Sequence, residues 1–265
     1  MPHRSLLARA LGLALAALVV TLLPVPAQSA GAPYVALGDS YSSGVGTRTY
    51  IGDGTCQRST YAYPYLVAAQ KGYALDFEAC GGAKIGDVTS KQLPALSTST
   101  RYVTLSVGGN DAGFGDVILE CAKPDIIANC GSKIDTAQAY INNTLPGALS
   151  TLYASIKAKA PSAKVVIVGY PRLFMGVDCN AGTFFGSSEM TRLNQTADLL
   201  NAKLAAAASA KGFSFANPTT SFTGHAVCSS TEWLNGLSNP TGESYHPNRT
   251  GHSSGYLPLV SRLLV

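Results

Sequence analysis

The chain has 265 residues with 19 Lys+Arg against 15 Asp+Glu, a formal charge of +4, and only 13% charged residues. It has no basic stripe and no acidic tail, which excludes nucleic acid as a partner and leaves Ser, Thr, Asn and Gln to make up most of the polar surface. A chain of this length has ample apolar residues for a real core.

The first element is a leader. Residues 1–30 carry His3, Arg4 and Arg9, then an apolar stretch over 11–23, then the small-residue run "VPAQSAGA". That is the pattern of a secretory signal peptide, with cleavage after Ala27, Ala30 or Ala32. The apolar stretch falls short of the roughly 20 residues of a membrane span, so no stable membrane anchor is expected. Loss of Arg4 and Arg9 with the leader lowers the formal charge from +4 to +2. The expectation is a secreted, extracellular protein whose residues 31–265 form a single domain.

Within that domain, short apolar runs bounded by Gly, Pro or Ser recur at 34–37, 102–107 and 164–169 ("KVVIVG"), with a weaker one at 213–216. Such runs predict buried parallel strands. Two longer stretches have helical spacing. Residues 134–160 place Ile134, Ala137, Ile141, Leu145, Leu149 and Leu152 on one face, with Pro146 expected to divide the helix. Residues 187–211 open with "SSEM", where Glu189 completes a capping box. Strands separated by helices predict βαβ units, hence one three-layer α/β/α sandwich on a mainly parallel sheet. Ligands of such sheets bind beyond the carboxyl ends of the strands.

The six cysteines are Cys56, Cys80, Cys121, Cys130, Cys179 and Cys228. An even number in a secreted chain predicts three disulfides, and six cysteines admit fifteen pairings. Sequence order favours Cys56–Cys80, Cys121–Cys130 and Cys179–Cys228. A metal site is the rival. No pair has zinc-ribbon spacing and no histidine falls close by.

"YVALGDSYSSGVG" (34–46) raises the functional question. A predicted strand stops at Gly38 and delivers Asp39 and Ser40 among small residues. Ser40 is either a capping serine in a tight turn or a nucleophile. It is not the Gly-x-Ser-x-Gly elbow of α/β-hydrolases, because Ser42 stands where that motif has its second glycine. A nucleophile needs a base and oxyanion donors. Beyond the leader, His225, His246 and His252 are the histidine candidates. His246, in "SYHP" before a C-terminal helix, is best placed to reach the sheet edge. His252 reads as packing and His225 as structural. Asn110 in "GGND" follows the run at 102–107, and Gly82 in "CGGAKIGDV" lies where backbone must approach something closely; both can supply N–H donors. Asp39 is expected to brace the loop.

These four ordered blocks, "GDSYSSG", "CGGAKIGDV", "GGND" and "SYHP", resemble those of the GDSL, or SGNH, hydrolases. The spaced cysteine pairs and the "GYLPLV" ending are similar to the secreted actinobacterial lipase, esterase and phospholipase A branch. The resemblance implies a flavodoxin-like fold, a Ser40 nucleophile, His246 as base and then acid, and an oxyanion hole of Gly82, Asn110 and the Ser40 N–H. It also implies cysteine pairing in sequence order. Many members place Asp three residues before the histidine; here that position is Glu243. Other members of the branch use a backbone carbonyl two residues before it, here that of Ser244, which is slightly favoured. The implied substrates are small-molecule or lipid acyl esters, acted on by a monomer, with no cofactor and no metal. The alternatives are a carbohydrate acetylesterase and a non-enzymatic secreted binding module. Leu173, Phe174, Met175, Phe184 and Phe185 are candidate lining for an acyl groove, and each also reads as ordinary core. An unperturbed base predicts activity rising through about pH 6.5.

Overall fold

A computed structural model describes residues 31–52 and 54–265; the leader expected over 1–30 lies outside the described residues. Gly31–Val265 cluster as one compact unit. Its centre is a five-stranded sheet: β1 (Pro33–Gly38), β2 (Ala74–Phe77), β3 (Tyr102–Ser106), β4 (Lys164–Val168) and β5 (Ser214–Ala216). The order is β2-β1-β3-β4-β5 and every pairing is parallel. This is the doubly wound order whose switch point lies between β1 and β3, where ligands of such sheets bind.

The strands form where apolar runs predict them, because the interior strands are covered on both faces. Residues 34–38 of β1, 103–106 of β3 and 165–168 of β4 are all buried. β2 was not predicted. It is an edge strand, "ALDF", whose residues alternate between exposed and half-buried, so it has no continuous apolar run to detect.

The helices are α1 (Ser40–Ser43), α2 (Tyr63–Lys71), α3 (Ile85–Asp87), α4 (Phe114–Cys121), α5 (Cys130–Asn143), α6 (Leu145–Lys159), α7 (Ser187–Ala210) and α8 (Leu257–Ser261). α2 packs with α8 and β2, while α5, α6 and α7 pack with one another and α7 with β5. The predicted break at Pro146 is present: α5 ends before Thr144, and the proline enters the first turn of α6, where its missing N–H is not needed. Glu189 lies in the first turn of α7 as expected, but only half of the capping box forms, because the cap residue is a glycine with no side chain to return the bond. Gly186 is the cap residue, its N–H donating to Glu189 Oε2 at 2.9 Å, and Ser187 is already helical.

The disulfides are Cys56–Cys80, Cys121–Cys130 and Cys179–Cys228. The first holds the segment after β2 against the loop after α1, where Gly81 N–H also donates to the Cys56 carbonyl at 2.9 Å.

Candidate active site

The nucleophile candidate sits on a short elbow. β1 ends at Gly38, whose φ of +131° favours glycine; a Cβ there would also meet the Ser106 carbonyl oxygen at 2.5 Å. The Gln92 amide clamps the same residue, accepting from Gly38 N–H at 2.7 Å and donating to its carbonyl at 2.9 Å. Asp39, fully buried, then caps α1. Its Oδ1 accepts from Tyr41 N–H at 3.0 Å and Ser106 Oγ at 2.7 Å, and its Oδ2 accepts from Tyr170 Oη at 2.5 Å. Burial pushes this carboxyl up to about 6, against the three hydrogen bonds that hold it down. Asp39 is therefore engaged as a brace. Ser40 follows as the first residue of α1.

His246 meets it. The imidazole Nε2 lies 2.8 Å from Ser40 Oγ, and Nδ1 lies 2.8 Å from the Ser244 carbonyl. A carbonyl only accepts, so Nδ1 carries the proton and Nε2 is left to accept from the serine hydroxyl. Tyr245, between the carbonyl and the ring, has a left-handed φ of +57°, which folds the chain back on itself. Two bonds hold that turn: Tyr41 Oη donates to the Tyr245 carbonyl at 2.7 Å, and Tyr245 N–H to the Asn235 carbonyl at 2.9 Å. Burial lowers the imidazole to about 4, although the Ser244 hydrogen bond and the Glu243 charge favour its cation. The sequence-based expectation of an inflection at 6.5 therefore moves down.

Glu243 does not touch the imidazole. Its buried carboxylate accepts from Gly46 N–H at 2.7 Å and, in a short bond, from Tyr50 Oη. Of the two orienting groups left open by the sequence, the geometry brings the Ser244 carbonyl to the ring. The other histidines lie elsewhere. His252 is buried, its Nδ1 accepting from Tyr63 N–H at 3.2 Å, and His225 stacks on Trp233 at 3.7 Å.

The donor candidates occupy loops after β2 and β3. One N–H of the Asn110 amide donates to the Ala83 carbonyl at 3.0 Å, which fixes the side chain and leaves its second N–H for another acceptor. Asp111 ties the same two loops together by accepting from Ile85 N–H at 3.1 Å. Gly82 has a φ of +76°. Among the described residues, no backbone carbonyl accepts from the Ser40 or Gly82 N–H.

A cavity of about 380 Å³ reaches Ser40, Asn110 and His246. Its walls are apolar: Phe114, Val117 and Ile118 from α4, Ile141 from α5, and Leu193 and Leu200 from α7. Of the predicted lining only Leu173 belongs to it. Phe174 and Phe185 are buried beside Tyr245, at ring distances of 5.9 and 5.7 Å, and Met175 and Phe184 are exposed. The real walls come from helix faces whose apolar residues are spaced for packing, so nothing in the sequence separates lining from core.

Comparison with known proteins identifies the family. The model of the GDSL-like Lipase/Acylhydrolase family matches residues 36–253. The chain is 46% identical over 261 residues to Lipase 1 of Streptomyces coelicolor, covering 97% of this chain and 95% of that protein. Among solved structures, the extracellular lipase of Streptomyces rimosus superposes with a TM-score of 0.82 at 42% identity, covering 88% of this chain and all of that one. Phospholipase A1 of Streptomyces albidoflavus gives 0.83 at 44% identity, covering 88% and 99%. The chain belongs to the GDSL-like lipase/acylhydrolase family, and it is an ester hydrolase; its three disulfides fit the extracellular setting of such relatives.

Proposed function

From that membership we propose that the protein cleaves acyl esters of lipids through a Ser40 acyl-enzyme. The observation that carries this reading is the 2.8 Å contact between His246 Nε2 and Ser40 Oγ at the mouth of an apolar cavity. Ser40 Oγ attacks the ester carbonyl as its proton passes to His246 Nε2. The Ser40 and Gly82 N–H groups and the free Asn110 N–H receive the oxyanion. The tetrahedral intermediate collapses, His246 returns the proton to the leaving alcohol, and the acyl group stays on Ser40. Water then attacks the acyl carbon as its proton passes to His246, and His246 returns that proton to Ser40 Oγ as the acid leaves. The Ser244 carbonyl holds the ring in the required tautomer. Every group needed comes from one chain, so a monomer suffices.

The predominantly apolar walls favour a long acyl chain over the sugar of a carbohydrate acetylesterase. The test is hydrolysis of p-nitrophenyl esters from acetate to palmitate by wild type and Ser40→Ala. The expected result is activity in wild type that rises beyond acetate and is absent in the variant. Turnover that survives in Ser40→Ala would refute the nucleophile, and a preference for acetate would favour the acetylesterase.

A further inference from the structure

Glu243 stands where many family members carry the acid that bonds the histidine, yet here it is 2% exposed and turned onto a different partner. That partner is the loop following α1. Glu243 Oε2 accepts from Gly46 N–H and Oε1 from Tyr50 Oη. Asn235 completes the clamp, its Nδ2 donating to the Gly46 carbonyl at 2.9 Å and the Glu243 carbonyl at 3.2 Å, while its N–H donates to the His246 carbonyl at 2.9 Å.

What the clamp holds is pressed against the base. Gly46 has a φ of +101°, and a Cβ built on it would lie 2.9 Å from His246 Cβ and 2.4 Å from the Pro247 carbonyl oxygen. The Gly46 backbone is therefore the wall behind His246, and Glu243 sets where that wall stands. Both donors to the Glu243 carboxylate are neutral. No cation pairs with it among the described ion pairs.

A triad acid performs two tasks: it fixes the imidazole tautomer and it stabilises the imidazolium. We propose that this chain divides them. The Ser244 carbonyl fixes the ring, and Glu243 acts as a positioning residue that seats His246 through Gly46 and supplies negative charge near it without touching it. Arg48 and Arg249, the cations on the same loop face, donate to Ser238 Oγ and to the Thr47 carbonyl and Thr49 Oγ1 rather than to Glu243. The remaining titratable neighbours do not compete for that charge role. Tyr41, Tyr50 and Tyr245 are phenols that burial keeps neutral. His252, from the turn before α8, is held neutral by burial. Asp39, beneath the elbow, is occupied by its own three donors.

This inference rests on the Ser40–His246 reading. Its test measures kcat/KM on a soluble short-chain p-nitrophenyl ester from pH 3 to 8, with thermal melting of each variant and Ser40→Ala as control. Glu243→Gln can keep both contacts, accepting from Gly46 and donating to Tyr50, but it loses the charge. It is expected to fold, to lose about tenfold in kcat/KM, and to shift the acid limb lower by about half a unit to one unit. Glu243→Ala loses the seat as well and should fall about a hundredfold. Tyr50→Phe keeps the charge and should stay within about threefold, with its acid limb unmoved. Wild-type rate and an unmoved limb in Glu243→Gln would overturn the proposal. So would a loss of about 10⁴-fold in Glu243→Gln, the size expected when a directly bonded triad acid is removed. If Glu243→Ala does not fold, Glu243→Gln and Tyr50→Phe still decide the question. An active Ser40→Ala control would instead refute the underlying site, so the two failures are distinguishable.

Discussion

Ser40 and His246 end 2.8 Å apart but are delivered by different kinds of structure. Ser40 emerges from β1, which is laddered to β2 on one side and β3 on the other. Its position is fixed by many backbone bonds, and no single side chain outside the elbow sets it. His246 lies in a stretch, 217–250, built mostly of turns and isolated bridges. There the seat depends on a few side chains: Tyr41, Asn235 and Glu243. The nucleophile side is redundant and the base side is not. Substitutions that preserve each fold should therefore be felt more on the histidine side, apart from groups that face the reacting atoms directly.

The largest effect expected is at the base itself. His246→Ala should lower kcat by about a million-fold, as loss of a base acting in one unit with its nucleophile does, measured by steady-state hydrolysis with circular dichroism to verify folding. Asn110 lines the same cavity as Ser40 and His246 and comes from the strand-borne side. Asn110→Ala should fold and lose about 10²- to 10³-fold in kcat; near-normal turnover in a folded variant would remove it from the oxyanion hole. Replacing Cys56 and Cys80 by Ala tests how far the loop carrying Gly82 depends on its crosslink, the one place where the nucleophile side is expected to be sensitive. The 24-residue separation predicts about 3–4 kcal/mol lower stability by chain entropy, together with reduced activity because Gly81 and Gly82 follow Cys80. An unchanged melting temperature and rate would refute it.

Smaller effects sharpen the contrast. Tyr41 links the two regions through its bond to the Tyr245 carbonyl. Tyr41→Phe removes about 1 kcal/mol of net hydrogen bonding, roughly fivefold in kcat/KM if it reaches the rate. The gentlest probe is pH. Burial disfavours the imidazolium, so the His246 pKa falls to about 4 and the base stays neutral to lower pH. kcat/KM should be flat from pH 8 down to 6 and decline only as pH approaches that value, with any step near 6 assigned to Asp39 by its loss in Asp39→Asn. A decline centred at 6.5 or above would show that His246 is solvated as in a free peptide.

Legibility in the sequence follows the same divide. The strands that carry Ser40 and Asn110 were readable because interior parallel strands are apolar runs, whereas the half-exposed edge β2 was not. Ser40, Gly82, Asn110 and His246 were visible because each sits in a compact block of special residues. Their supports were not. Tyr170 reaches Asp39 across 131 positions and Glu243 reaches Gly46 across 197. A side chain engaged at such range leaves no local pattern. The acyl cavity was misplaced for a related reason: its walls are packing faces of α4, α5 and α7, indistinguishable by composition from core.

The central claim is that Ser40 is a nucleophile activated by His246. Its most direct test is mass spectrometry of the protein after reaction with a fluorophosphonate, an electrophile that captures activated serines. The account predicts a single adduct, on the peptide containing Ser40, lost in Ser40→Ala and strongly slowed in His246→Ala. An adduct on another serine, or none from a preparation that hydrolyses esters, would contradict it.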